Sequence, residues 1–196
     1  MRRLSWPRML VVLCAGAALA AAAAPLGAVD IFKAQMLTGK APVEPPLIKI
    51  QIEIKEWSTP EEVRAFQQTL NEAGVEAFLS AYSKTNKGVV RFMYTRGLNL
   101  TVHAAFTIPT EKGKSILLFF NRQQWDTSYQ RSMSRNLFMA MELKLNEKGK
   151  GEGRFYEDAQ IRLNPVEGTI AIETYEGTPK LFPQVMEVVK KAEEKK

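Results

Sequence analysis

The chain has 196 residues, of which 45% are hydrophobic and 24% are charged, and its formal net charge is +6. A single cysteine excludes a disulfide framework, and a single histidine excludes a histidine-rich metal site. No segment gathers basic residues between aromatic ones, so the positive charge does not indicate a nucleic-acid-binding protein.

Residues 1–24 have the layout of a secretory signal peptide. Three arginines precede an uncharged, alanine-rich run over residues 9–24. This run is shorter than the roughly 20 residues that a membrane-spanning helix needs. Small residues favour cleavage after Ala22 or Ala23, and an uncleaved membrane anchor is the alternative. We therefore expect a secreted or periplasmic protein without a stable membrane span after cleavage.

Cleavage would also change the chemistry of the chain. Cys14 lies inside the apolar run, so the mature protein would have no thiol nucleophile and no cysteine ligand for zinc. Loss of three arginines lowers the net charge from +6 to +3. The core alone would then have to stabilise the fold, and about 170 residues are enough for one domain to do so.

The next segment predicts a linker. Residues 25–46 carry four prolines without a sustained period, and a short helix over residues 29–37 is the one element indicated within them. A single α+β domain is expected over residues 47–190. A charged tail, residues 191–196, follows it.

The domain begins with a strand and a helical segment. Isoleucines alternate with polar residues over positions 48–54, which predicts a half-buried strand. Thr59 is a candidate N-cap for the following helix, and Glu62 is placed to complete a capping box. Gly74 is predicted to end that helix in the left-handed region, and a second short helix is predicted to reach about residue 84.

The remainder predicts β structure, because short apolar segments alternate with turns rich in glycine, proline and asparagine. The predicted strands cover residues 89–94, 98–108, 115–121, 137–145, 154–163 and 169–175. Residues 181–191 predict an edge strand or a terminal helix. Alternation disappears over residues 116–120, as in a strand that is covered on both faces.

Together these elements predict an α+β fold. We expect two short N-terminal helices packed on a mostly antiparallel, strongly curved or barrel-like sheet of seven to eight strands. Open sheet and closed barrel remain alternatives. Closure of about eight strands would leave room for one small ligand.

The segment KGKGEG, residues 148–153, raises the question of a phosphate-binding loop. A backbone cradle for phosphate needs a helix after the glycines, and a strand is predicted here instead. The dinucleotide motif also requires a glycine where Arg154 stands. We therefore predict a hairpin turn, with Gly151 as the candidate for a positive φ.

Two polar side chains form a candidate polar site. His103 lies on the polar side of a predicted strand, where it would act as a base only with a nucleophile within hydrogen-bond reach. Glu157 interrupts the apolar side of the strand over residues 154–163. It would lie either at the open end of the sheet or in the lining of a cavity. No catalytic residue, metal ligand or cofactor is assigned.

The loop over residues 121–136 is the best candidate for a ligand-binding site. It exceeds hairpin length, and long loops in compact domains are often lids or binding loops. Its aromatic rings and guanidinium groups suit an anionic or amphipathic ligand. The candidate residues are Arg122, Trp125, Tyr129, Arg131 and Arg135. The alternative is a packed surface loop whose Trp125 closes the end of the sheet.

Three segments resemble a group of uncharacterised secreted bacterial proteins that have no assigned activity. They are IEIKEWSTPEEVRAFQQTL, RSMSRNLFMAMELKLNEKGKGEG and TIAIETY. The resemblance covers roughly residues 48–190 and implies secretion and a shared fold. It implies no functional residue.

The sequence thus favours an exported noncatalytic envelope or periplasmic protein that binds a small amphipathic or anionic ligand or a protein partner. A hydrolase or isomerase in the sheet or barrel mouth, with His103 or Glu157 as base, is the alternative. A third interpretation is an interaction module whose strand edge adds to a partner sheet.

Overall fold

The computed structural model describes residues 29–37, 47–93, 99–124 and 136–188. Within these residues the chain forms one sheet of ten strands and one α-helix. The strands are β1 (Asp30–Leu37), β2 (Leu47–Ile54), β3 (Gly88–Phe92), β4 (Asn99–Val102), β5 (Ala104–Thr110), β6 (Gly113–Asn121), β7 (Phe138–Asn146), β8 (Lys150–Asn164), β9 (Thr169–Tyr175) and β10 (Lys180–Val188). Helix α1 spans Pro60–Ser83, and a 3-10 helix spans Arg122–Gln124. The predicted signal peptide and charged tail lie outside the described residues.

All the strand pairings are antiparallel. The strand order is β4-β3-β2-β1-β10-β8-β7-β6-β5, and β9 pairs with β8 beside this path. The first and last described strands are neighbours, with Ile31 opposite Val188. The two end strands, β4 and β5, are consecutive in the chain and only His103 separates them. Among the described residues no strand pairing joins β4 to β5.

The predicted fold class is wrong. The sheet has ten strands rather than seven or eight, and it is neither closed nor strongly curled. One helix replaces the two short helices, although Gly74, with φ 80° and ψ −178°, breaks the helical geometry inside α1. Sequence periodicity counts locally alternating segments, whereas strand number and sheet shape depend on pairing between segments that are far apart in the chain.

The predictions for residues 29–37 and 181–191 are also wrong, because local sequence does not show which strands pair. The predicted helix over residues 29–37 is strand β1, in which Phe32, Ala34 and Met36 are buried at the period of two that a strand requires. β10 is flanked by β1 and β8, so it is neither a helix nor an edge strand. Its proline, Pro183, lies at a register shift between Phe182 and Val185, where a missing N–H is tolerated.

The larger of two hydrophobic cores lies on one face of the sheet. Every strand except β9 contributes to it, including the four isoleucines of β2. Phe32, Phe120, Phe155 and Phe182 are fully buried there. Phe120 meets Phe155 edge to face with 6.2 Å between ring centroids, so bulky side chains fill this core.

The second core lies between α1 and the opposite face of the sheet. Val63, Phe66, Phe78 and Tyr82 of the helix pack against residues of β5 to β9. β6 separates the two cores, because Ile116, Leu118 and Phe120 belong to the first and Phe119 belongs to the second. The predicted coverage of residues 116–120 on both faces is therefore confirmed.

The start of α1 also follows the prediction. The Thr59 hydroxyl accepts a hydrogen bond from the Glu62 amide, and the Glu62 carboxylate accepts one from the Thr59 amide. Glu62 and Glu56 in addition form ion pairs with the buried Lys87, with O···N distances of 2.5 and 2.7 Å. The burial of Lys87 would lower its pKa, but the hydrogen bonds that its ammonium donates to the Glu56 and Glu62 carboxylates outweigh this effect and raise it. These contacts fasten the helix start to the loop before β3.

Candidate functional site

His103 is buried at the junction of β4 and β5. Its Nδ1 lies 2.7 Å from the Thr85 carbonyl oxygen, to which it donates, and its Nε2 lies 2.8 Å from the Gln124 side-chain nitrogen, from which it accepts. Burial lowers the pKa of His103, so the neutral ring is favoured. Both ring nitrogens are engaged, which leaves no nitrogen facing a substrate.

Gln124 explains how this junction is held. Its side-chain oxygen accepts a hydrogen bond of 2.6 Å from the Thr101 amide, and its nitrogen donates one of 3.1 Å to the Thr101 carbonyl. The amide group thus pairs with β4 as a neighbouring strand would. Its second N–H is the one that reaches His103. The geometry assigns His103 and Gln124 to a structural bracket between two strands.

At the junction between β4 and β5, the even-numbered residues change from one face of the sheet to the other. Leu100 and Val102 belong to the first core, as does Ala105, whereas Ala104 and Phe106 belong to the second. A single continuous strand over residues 98–108, with all its even-numbered residues on one face, is therefore wrong. The interruption at His103 shifts the alternation by one residue.

Glu157 and Asp158 lie at a bulge in β8. Tyr156 pairs with Ala140 and Ala159 pairs with Phe138, so β8 has one extra residue between these pairs. The Glu157 carboxylate lies 2.6 Å from the Lys180 ammonium in an ion pair. Glu157 is thus at a bulge beside β10, and no hydrogen bond or ion pair connects it to His103 within the described residues.

Arg122 is the one candidate ligand-binding residue of the loop that the structure describes. Its guanidinium forms an ion pair of 2.5 Å with Asp158, and both side chains are only 14% exposed. This contact fastens the beginning of the loop to the bulge in β8. Trp125, Tyr129, Arg131 and Arg135 lie outside the described residues. Their predicted role in ligand binding stays a prediction.

An open groove of about 790 Å³ lies beside the turns of the β5–β6 and β7–β8 hairpins. Its charged side chains are Lys112, Lys114, Lys144, Lys150, Glu111 and Glu152. We call this site the basic groove. Four lysines against two glutamates give its lining an excess of positive charge.

Strand pairing brings these lysines together from distant parts of the sequence. β6 and β7 place Ser115 opposite Lys144, and β7 and β8 place Lys144 opposite Glu152. Gly151 allows β7 and β8 to approach closely, because a Cβ at this position would overlap the backbone oxygen of Lys144. The groove therefore depends on the glycine-rich segment that forms its wall.

The lysines differ in their partners. Lys114 lies 2.7 Å from a Glu187 carboxylate oxygen, and its ammonium lies 5.9 Å from the centroid of the Phe32 ring. Lys144 lies 3.3 Å from the Glu142 carboxylate on its own strand. Lys112 and Lys150 are exposed beside the turns and have no ion-pair partner among the residues that the structure describes. They are the two cations most available to a ligand.

A second groove, of about 360 Å³, lies between α1 and the β8–β9 hairpin. Leu70, Val75 and Ile161 give it an apolar lining, with Arg162 and Glu173 among its polar residues. Leu137, which follows the predicted binding loop, also lines it. Its charges are balanced, so it lacks the electrostatic preference of the basic groove.

No protein-family model, curated protein or solved structure matches this chain. The resemblance to secreted bacterial proteins therefore stays a prediction. Over the described ranges, no group of three or more histidine, cysteine or acidic side chains is arranged to hold a metal ion. Neither helix in those ranges is long and apolar enough to cross a membrane.

Sequence reasoning missed the basic groove. KGKGEG was predicted to be a turn, and the structure agrees: β7 ends at Asn146, β8 begins at Lys150, and Gly149 has the positive φ of 69°. Gly151, the candidate for that conformation, is extended strand instead. The available signal was lysine in two separate turns, but only the pairing of β6 with β7 shows that these turns lie side by side.

Proposed function

We propose that this protein is an exported, noncatalytic protein that binds a small anionic ligand in the basic groove. The observation that carries the proposal is that Lys112, Lys114, Lys144 and Lys150 all line one groove. Export is supported by the predicted signal peptide. The sequence of the loop over residues 121–136 also favoured an anionic ligand, although it placed the site in that loop and not in the basic groove.

The size and charge of the groove support a small multivalent anion. Its volume of about 790 Å³ falls within the range of about 300 to 1,000 Å³ that is typical of small-molecule sites. Lysine ammonium groups act as point charges on flexible stems, so they adapt to phosphate or carboxylate groups without a fixed fork geometry. The groove is open, and affinity should therefore fall as ionic strength rises.

The noncatalytic part of the proposal is supported by the two candidate bases. Both nitrogens of His103 form hydrogen bonds inside the protein, and Glu157 is held by Lys180. Neither residue lines the basic groove. A hydrolase or isomerase would have to use other groups, and the groove lining itself contains no histidine or cysteine.

Titration calorimetry with citrate and with inorganic pyrophosphate at low ionic strength tests the proposal. The informative variant is Lys112→Gln/Lys150→Gln, because these lysines have no ion-pair partner to lose. Each exposed lysine contributes up to about 1 kcal/mol, so removing two attractive charges should weaken binding by up to about 30-fold. The matched control is Lys33→Gln/Lys49→Gln, which removes the same charge from strands β1 and β2 outside the groove.

Two results would contradict the proposal. One is the absence of binding of either anion at low ionic strength. The other is an equal loss of affinity in the groove variant and in the control, which would mean that only the net charge of the protein matters. Turnover of a bound phosphate or carboxylate ester would refute the noncatalytic part alone, and its loss in His103→Asn or Glu157→Gln would assign the activity to that residue.

A further inference from the structure

The outward side of β10, β1, β2 and β3 is a second surface with an unusual composition. These four strands are neighbours in the sheet, and their inward residues form much of the first core. Helix α1 packs on the other part of the sheet, against β8 and β9. We call the outward side of these four strands the open face. Its residues are Ile31, Lys33, Gln35, Leu37, Leu47, Lys49, Gln51, Glu53, Val89, Arg91, Met93, Gln184, Met186 and Val188.

The open face is more apolar than solvent contact alone would favour. An antiparallel sheet with one solvated side normally carries polar residues there. Here Leu37, Leu47, Met93 and Met186 are 40%, 42%, 65% and 44% exposed. Leu37 and Leu47 lie directly opposite each other on paired strands. Four large apolar side chains on one face indicate a surface that contacts another apolar phase.

The net charge of this face is positive, with Lys33, Lys49 and Arg91 against Glu53. Arg91 forms an ion pair with Glu53, which leaves Lys33 and Lys49 without an ion-pair partner among the described residues. A groove of about 490 Å³ runs between these two lysines, with Met93 and Met186 in its lining. Cationic and apolar groups are thus interleaved over a single surface.

The exposed apolar side chains and the positive charge of the open face decide between two possible binding partners. A second copy of the chain, docked symmetrically, would bring two patches of the same positive charge together and would be disfavoured. A membrane surface with anionic headgroups complements the lysines and accepts the apolar side chains at the acyl boundary. We propose that the open face docks on the surface of a bilayer that contains anionic lipids.

The test uses the protein as its own cell processes it, with its amino terminus defined by intact mass, because residues 9–24 would bind lipid by themselves if retained. Sedimentation is measured with vesicles of phosphatidylcholine alone and with equal parts of phosphatidylglycerol. We expect binding to the anionic vesicles at low salt and little binding to the neutral ones. Since a lysine near an anionic surface contributes about fivefold in partitioning, Lys33→Gln/Lys49→Gln should weaken binding by roughly 25-fold.

A second variant, Met93→Gln/Met186→Gln, tests the apolar contribution and should also weaken binding. The side chains changed in the two open-face variants, Lys33, Lys49, Met93 and Met186, all point outward. Both variants should therefore have wild-type stability in urea unfolding. The control is Lys112→Gln/Lys150→Gln in the basic groove, which should bind vesicles as the wild type does. The two proposals fail separately, because this control responds to soluble anions and the open-face variants respond to vesicles.

The proposal is overturned if anionic vesicles do not bind the protein. It is also overturned if the open-face variants bind like the wild type, or if the basic-groove variant loses as much binding as they do. A concentration-dependent dimer in light scattering that the open-face substitutions abolish would assign this face to a second copy instead.

Discussion

Replacing Gly151 with alanine tests how closely β7 and β8 must approach to form the wall of the basic groove. A Cβ at position 151 would overlap the carbonyl oxygen of Lys144, well inside the 3.0 Å that real Cβ atoms keep from their neighbours. The overlapping atom belongs to the backbone, so a side-chain rotation cannot relieve it. The two strands must separate locally, at the point where Leu145 pairs with Gly151.

The expected loss combines two effects. Overpacking in a close-packed region costs about 1 to 3 kcal/mol. Weakening one ladder hydrogen bond adds about 0.5 to 1.5 kcal/mol. The lower conformational entropy of the unfolded alanine chain offsets up to about 1 kcal/mol of this loss. We therefore expect Gly151→Ala to lower the free energy of unfolding by about 2 to 3 kcal/mol.

Gly149→Ala is the matched control within the same turn. Gly149 has a φ of 69°, and a Cβ there would lie 3.0 Å from both the Cβ and the Oε2 of Glu187, so this residue must move by a few tenths of an ångström. The cost of the substitution is mainly that of the left-handed conformation, about 1 kcal/mol. Urea unfolding followed by circular dichroism gives the free energy of unfolding of both variants, which can be compared directly if the dependence on urea concentration is the same. A Gly151→Ala loss no larger than the Gly149→Ala loss would refute the close approach of β7 and β8.

Two further substitutions test the contacts of His103 at the β4–β5 junction and of Lys87 in the loop before β3. Because burial lowers the pKa of His103, its contribution to stability is fully present above the ordinary value of about 6.5 and is lost as the pH falls through the lower folded-state pKa. Urea unfolding between about pH 7.5 and 5 should show this slope in the wild type and a smaller slope in His103→Asn; equal slopes would contradict it. For Lys87→Met we expect a loss of about 1 to 2 kcal/mol in thermal unfolding, because Glu56 and Glu62, 63% and 31% exposed, can be hydrated. A loss above about 4 kcal/mol would mean that these carboxylates are left buried without a partner.

Local signals predicted the parts of the fold that depend on neighbouring residues. The capping box at Thr59 and the alternating isoleucines of β2 were predicted because their partners lie a few positions away. β1 was missed because the prolines around it indicated a linker, although its own alternation is that of a strand. The predicted strand over residues 98–108 failed at His103, where a single residue changes the face that points inward.

For the candidate sites, too, the sequence predicted what depends on neighbouring residues and missed what depends on distant ones. Glu157 was noticed because it interrupts an apolar pattern, and the structure explains the interruption by a bulge rather than by a cavity. His103 was noticed because it is the only histidine, and its half-buried partners Thr85 and Gln124 lie about 20 positions away in the chain. The basic groove could not be predicted from the sequence because its lysines come from two hairpins, β5–β6 and β7–β8, that only the strand order places side by side.

The pairing of β1 with β10 makes completion of the sheet depend on nearly the whole described chain. Closing a contact between segments as distant as Ile31 and Val188 is entropically costly and slow compared with forming a hairpin. Until β10 is in place, β1 and the first half of β8 both present unpaired edges. A chain that ends before residue 180 would therefore expose two strand edges that can recruit other chains, which makes partial synthesis or proteolytic loss of the last strand a route to aggregation.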